Sequence, residues 1–76
     1  MGQIIPLAQV PPGRTVRVVQ ITGGSTLISR LYQMGILPGT MIHVIMNSGG
    51  PVIISVKNSS VALGRGMAHK ILVELL

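Results

Sequence analysis

The chain has 76 residues and a net charge of +5, with charged residues making up only 9% of the sequence. This length allows one small domain, which we expect to span residues 1–76. The basic balance suits an acidic protein, an anionic lipid or nucleic acid as a partner, although six cations can also serve only to keep an apolar domain in solution. The sequence contains no cysteine, which excludes disulfides, thiolate metal sites and cysteine nucleophiles.

The longest stretch without a charged residue, 31–56, is long enough to cross a bilayer as a helix. It contains four glycines and two prolines, however, with Asn-Ser-Gly-Gly-Pro at its centre. Such a backbone cannot remain helical in lipid, where unsatisfied peptide groups are prohibitive. Pro6, Pro11 and Pro12 likewise interrupt any apolar signal segment near the N-terminus. We therefore expect a cytoplasmic protein that does not insert into the membrane.

The first half of the chain predicts a strand followed by a helix. After a lead-in over residues 4–13, the β-branched segment TVRVVQI (15–21) indicates a strand. A helix over about 25–34 follows, and Gly35 ends it as the residue after its C-cap. The apolar residues of this helix have the spacing i, i+1, i+4, i+7, which places them on one face. These residues are Leu27, Ile28, Leu31 and Met34.

Two segments of the chain match residue for residue, namely PPGRTVRVV (11–19) and LPGTMIHVI (37–45). Each contains a Pro-Gly pair, two further residues and an alternating strand. Proline fixes φ and glycine permits the left-handed conformation of a type II turn, so each pair sets the direction of the strand that follows. In the second strand we expect Ile42, Val44 and Met46 to point inward, and His43 and Ile45 to point outward.

The second half of the chain predicts short strands joined by tight turns. Asn47-Ser48-Gly49-Gly50 is a hairpin loop before the strand PVIISVK, and a further strand begins at residue 60. A short helical turn is expected near 64–69, and ILVELL then forms the last strand. Together these elements predict a mainly β fold, a small closed barrel of about five strands with one inserted helix.

The sequence offers little material for chemistry. It contains no aspartate and one glutamate, Glu74, and no Ser-His-acid arrangement that the spacing supports, so we expect no enzymatic activity and no catalytic residue. His43 and His69 are the two imidazoles, fewer than the three or more protein ligands that iron or zinc prefers, so we assign no metal site and no cofactor.

Two further patterns bear on ligand binding. Gly23-Gly24-Ser25-Thr26 precedes the helix and could hold an anion on free N–H groups, but a capped turn explains it better because the phosphate-loop lysine is missing. Nucleic acid is the other alternative, but small barrels usually stack bases on aromatic side chains, and Tyr32 is the sole aromatic residue.

Four segments in order carry a family resemblance: PLAQVPPGRTVRV, SRLYQMGILPGTMIHVI, GPVIISV and the ending VAL…A…ILVEL. With them the chain resembles the FeoA family, small cytosolic proteins of bacterial and archaeal ferrous-iron uptake systems, from about Pro6 to Leu75. The most specific piece is an L-x-x-M-G-I-x-P-G motif, whose residues we interpret as structural. They are Leu31, Met34, Gly35, Ile36, Pro38 and Gly39.

The resemblance implies an SH3-like β-barrel with an inserted helix, a domain that DtxR-type metal-dependent repressors also carry. It implies a role at the cytosolic side of FeoB, the membrane iron permease with an N-terminal G domain, and so recruitment to the inner face of the membrane. The family is associated with transition-metal ions, although its motif supplies no ligand here. The chain departs from the family at Gly64-Arg65-Gly66, which replaces a more helix-prone run.

The leading hypothesis is therefore a non-enzymatic adaptor that binds the cytosolic part of FeoB and modulates transport or the GTPase cycle. The alternatives are a basic barrel that binds nucleic acid and a homo-oligomer that pairs its own apolar faces. Exposure and charge, rather than the family motif, suggest the partner contacts. They are Arg17, Thr26, Arg30, Tyr32, Gln33, Arg65 and Lys70.

Overall fold

The computed structural model describes residues 2–76, so position 1 of the predicted domain lies outside the described residues. Within that range the chain forms six strands, two α-helices and one short 3-10 helix. In chain order these are β1 (Ile4–Pro6), the 3-10 helix (Leu7–Gln9), β2 (Thr15–Ile21), α1 (Ser25–Gln33), β3 (Met41–Met46), β4 (Val52–Val56), β5 (Ser59–Leu63), α2 (Arg65–Ala68) and β6 (Ile71–Leu75).

The six strands form one antiparallel sheet in the order β1-β6-β2-β3-β4-β5. The mainly β fold with an inserted helix is thus confirmed, and so is the helical turn near 64–69, which is α2. The strand count differs from the expected five because part of the lead-in, Ile4–Pro6, pairs with β6. The expected closure is wrong: in residues 2–76 the sheet remains open between β1 and β5, and α2 packs against the 3-10 helix.

The two matching segments lie against each other as antiparallel partners. The N–H of Gly13 donates to the carbonyl of Val44 (2.8 Å), and the N–H of Gly39 donates to the carbonyl of Val18 (2.7 Å). Each Pro-Gly turn therefore bonds to the middle of the other segment's strand. Both glycines have positive φ, +91° and +94°, as the predicted turns require.

Each of these two strands contains a β-bulge at the same position of the repeat. The register shifts between Val18 and Gln20 in β2 and between Val44 and Met46 in β3. A bulge adds one residue and reverses the alternation beyond it. Ile42 and Val44 are buried as expected, but the inward orientation predicted for Met46 is wrong, because its side chain is 53% exposed.

Helix α1 ends in a Schellman motif, which explains part of the family motif. The N–H of Ile36 donates to the carbonyl of Leu31 (2.9 Å), and the N–H of Gly35 donates to that of Tyr32 (3.0 Å). Gly35 has φ +84°, and Leu31 and Ile36 are fully buried. The motif therefore stops the helix and anchors its end in the core. Across residues 2–76, no helix has the length and apolar character needed to span a membrane.

A candidate cationic docking surface along helix α1

The outward side of α1 carries polar residues at helical spacing. Thr26, Arg30 and Gln33 follow the i, i+4, i+7 pattern, so the helix places them on one face. Together with Ser25 and Ser29 they line a shallow open depression of about 440 Å³. Three of the predicted contact residues are thus brought together. The predicted Tyr32 is 45% exposed on the same helix but does not line the depression.

A lysine lies near each end of the helix. Lys70, a predicted contact residue, lies beside the N-terminal end of α1, where its Cδ would be 3.2 Å from a Cβ added to Gly23. Lys57 lies beside the C-terminal end of α1, where its Nζ would be 3.9 Å from a Cβ added to Gly35. We call Lys70, Arg30 and Lys57 the cationic stripe.

Sequence reasoning missed Lys57 because it treated the residue as the end of a strand. In the structure, Val56 pairs with Ser59, so Lys57 and Asn58 form a two-residue hairpin turn. Both have positive φ, 50° and 67°, as a type I′ turn requires. The only signal in the sequence is that two residues separate the segments that form β4 and β5, because Lys-Asn is not a typical dipeptide for a type I′ turn.

Arg17, another predicted contact residue, lies on the outward side of the sheet rather than on α1. Its guanidinium forms an ion pair with Glu74, which is directly opposite on β6. Because Glu74 is the only acidic residue of the sequence, this pair leaves no acidic side chain to neutralise the cationic stripe.

Arg65, also a predicted contact residue, donates hydrogen bonds within the molecule. Its guanidinium bonds the carbonyls of Ala8 (3.0 Å), Gly49 (3.1 Å) and Gly50 (3.2 Å), and the side-chain oxygen of Asn47. The amide of Asn47 in turn donates to the carbonyls of Ala8 and Val10. This Arg65–Asn47 network joins α2 to the 3-10 helix and the β3–β4 loop, across the open side of the sheet.

The two histidines lie on different elements. His43 is exposed on β3, with its Nδ1 3.1 Å from the hydroxyl of Thr15, and His69 is the C-cap of α2. No group of three or more His, Asp or Glu residues that could hold a metal ion is found within the part of the chain described.

This fold, one small antiparallel sheet with an inserted helix, defines an SH3-like domain. The model of the FeoA domain family matches residues 5–75, and the chain belongs to that family. The chain is 49% identical over 69 residues to the candidate Fe(2+) transport protein A of Methanocaldococcus jannaschii. That match covers 91% of this chain and 84% of the relative.

Solved structures agree with the family assignment. The crystal structure of an iron uptake regulatory protein (FeoA) superposes with a TM-score of 0.93 at 37% identity, covering 97% of this chain and all of that one. A manganese-dependent transcriptional repressor gives a TM-score of 0.89 at 20% identity, covering all of this chain and 44% of that protein. At this lower identity the likeness concerns the fold alone.

Proposed function

We propose that the protein is a non-enzymatic accessory protein of ferrous-iron uptake. In this proposal it binds the cytosolic part of a FeoB-type permease and modulates transport or the GTPase cycle of that permease. The observation that carries the proposal is membership of the FeoA domain family over residues 5–75, together with 49% identity to a candidate Fe(2+) transport protein. The protein then works in the cytoplasm and is recruited to the inner face of the membrane through its partner.

The surface of the molecule supports an action by contact. The side chain of the single glutamate is paired with Arg17, and the buried residues in 2–76 are all apolar. A site for acid–base chemistry usually contains titratable groups in a partly enclosed cavity, whereas the depression on α1 is open and lined by hydroxyls, one amide and one guanidinium. Such a surface is suited to binding a protein partner.

The proposal is tested by measuring ferrous-iron uptake in a strain that lacks its native FeoA-type protein. We expect the wild-type chain to restore uptake and to bind the purified G domain of the cognate permease. The double variant Arg30→Glu with Lys70→Glu should restore little uptake. Arg65 is unsuitable for such a reversal because its network holds the fold together. Full uptake in cells without the chain would contradict the proposal.

A homo-oligomer is the second candidate, because large apolar side chains are exposed on β2 and β3. Val19, Met41, Ile45 and Met46 are each 38–53% exposed. Apolar surface of this kind often marks an interface between proteins. Sedimentation at high protein concentration tests the candidate: a dimer or larger species supports it, and a strict monomer rejects it. Nucleic-acid binding remains a prediction without an observation of its own in its favour.

A further inference from the structure

We infer that the cationic stripe, Lys70, Arg30 and Lys57, is the docking site for an acidic surface of a protein partner. The inference rests on the proposed function and goes beyond it, since it specifies which face of the domain makes the contact and the chemistry of the surface that it contacts. It replaces the broader set of predicted contacts, from which Arg17 and Arg65 drop out because they are engaged within the molecule.

The stripe has one cation in the last turn of α1 and one lysine near each end of that helix. The helix contains nine residues, so at 1.5 Å per residue it is about 14 Å long, and the two lysines lie just beyond its ends. The first turn of α1 contains no acidic residue, and its N-cap, Gly24, has no side chain that could accept a hydrogen bond from the helix. The positive end of the helix dipole therefore has the same sign as the nearby Lys70, and no acidic residue of the first turn offsets it.

The conformation of Lys57 is the second observation. A non-glycine residue at positive φ is uncommon, and the first position of a type I′ turn strongly prefers Asn, Asp or Gly. A lysine at this position is less favourable for the fold, yet it places an ammonium group beside Gly35 at the end of α1. Unfavourable backbone conformations that persist are concentrated at functional sites. We therefore assign Lys57 to binding.

The chemistry of the stripe favours a protein partner over nucleic acid or lipid. Arg30 shares its depression with hydroxyl and amide groups, which donate hydrogen bonds to carboxylates and backbone carbonyls. Tyr32 offers the sole aromatic ring for stacking bases, and three cations give a polyanion only weak, salt-sensitive binding. Apart from Tyr32, the large exposed apolar side chains that could enter a lipid interface lie outside α1, for example Val19 on β2 and Met41 on β3.

The test measures the affinity of the full chain for the purified G domain of the cognate permease by titration calorimetry. Arg30→Glu, Lys57→Glu and Lys70→Glu should each weaken binding about tenfold, because each juxtaposes like charges at the interface. Arg14→Glu is the matched control: it makes the same change of charge at an exposed residue before β2 and should weaken binding less than about twofold.

A further variant, Lys57→Asn, separates binding from folding. Asparagine suits the left-handed conformation, so this variant should unfold at a higher temperature than the wild type and still bind at least about threefold more weakly. Equal affinity of Lys57→Asn and wild type would remove Lys57 from the stripe and overturn the inference as stated. Higher stability with weaker binding supports it.

The remaining outcomes distinguish the inference from the proposed function. Wild-type binding with stripe variants no weaker than Arg14→Glu overturns the inference and leaves the proposed function intact. Absence of wild-type binding rejects the G domain as the partner and the inference with it. A 20-nucleotide oligouridine RNA and vesicles of phosphatidylglycerol are titrated in parallel. Tighter binding to either, lost in the same three variants, overturns the choice of an acidic protein.

Discussion

Arg65 and Asn47 together provide the polar contacts that hold the open side of the sheet. The Arg65 guanidinium binds four acceptors on the 3-10 helix and the β3–β4 loop, and Asn47 adds two more hydrogen bonds to the same helix. The planar, forked guanidinium can reach several carbonyls at once, which an ammonium cannot do with the same geometry. The departure from the family pattern at 64–66 is therefore compatible with a helical turn, because the side chain of Arg65 fixes the backbone around it.

The variant Arg65→Ala should lower the free energy of unfolding by about 2–3 kcal/mol, since hydrogen bonds from a charged donor are lost and half-buried acceptors remain. Arg65→Lys should recover part of this loss. Urea unfolding of both variants is the measurement, with Arg14→Ala as the control for removing an exposed arginine. If Arg65→Ala is as stable as Arg14→Ala, the network contributes nothing to stability.

Bulges decide which side chains of β2 and β3 reach the core. Met46 has the sequence pattern of a core residue but lies outside the core, whereas Ile42 on the same strand is 1% exposed. We expect Ile42→Ala to cost about 2–5 kcal/mol of unfolding free energy, as other large-to-small core substitutions do. Met46→Ala should stay within about 0.5 kcal/mol of the wild type in the same denaturation experiment. Similar losses for the two variants would contradict the assignment of the bulge in β3.

At the scale of elements, the C-terminal end of α1 depends on a glycine that no other residue replaces without strain. Gly35 has φ +84°, and the Schellman hydrogen bonds require that conformation. Gly35→Ala should destabilise the fold by about 1–2 kcal/mol, the usual cost of the left-handed region for a residue with a Cβ. Thermal unfolding measures the effect.

Gly24→Ala is the matched control for that substitution. Gly24 is the N-cap of the same helix, has φ −79°, and a Cβ there would meet no atom within 4 Å. Glycine is preferred to alanine at an N-cap, but alanine can adopt this backbone conformation and lowers the entropy of the unfolded chain. Because these two effects oppose each other, we expect stability to change by less than about 0.5 kcal/mol. Equal losses at both glycines would show that the conformation of Gly35 is not the cause.

The elements that rest on local patterns could be predicted from the sequence. The 3.6-residue period of apolar residues predicts α1, and Gly35 predicts where this helix ends. The Pro-Gly pairs predict the two turns before β2 and β3. Strand β1 could not be predicted, because three residues ending in Pro6 have no period and form a strand only through pairing with β6. The bulges likewise depend on a partner strand, and this is why the orientation of Met46 was predicted wrongly.

The candidate site likewise has one part that local sequence patterns predict and one part that depends on tertiary packing. The shared face of Thr26, Arg30 and Gln33 follows from helical spacing, and the structure places all three along one depression. Lys57 approaches α1 through tertiary packing of the β4–β5 turn, which no local pattern indicates. Their role in binding a partner stays a prediction.

At the scale of the whole molecule, the one acidic side chain is paired with a cation of the sheet and not with the cationic stripe. The ion pair of Arg17 and Glu74 lies across β2 and β6, whereas the cationic stripe lies along α1. Because exposed charges are screened within about 8–10 Å at physiological ionic strength, binding through the stripe should weaken with salt. We expect the affinity for the G domain to fall about tenfold between roughly 50 and 300 mM NaCl, mainly through a slower association rate. Salt-independent association would show that apolar contacts dominate instead.

The most direct test of the account is an amide chemical-shift titration of the full chain with the G domain of its cognate permease. The account predicts shifts confined to α1, to the segment around Lys70 and to the hairpin tip at Lys57 and Asn58, with the β2–β3 surface around Val19 and Met41 unchanged. Shifts centred on that β2–β3 surface, or no shifts at all, would contradict the claim that the protein docks through its cationic stripe.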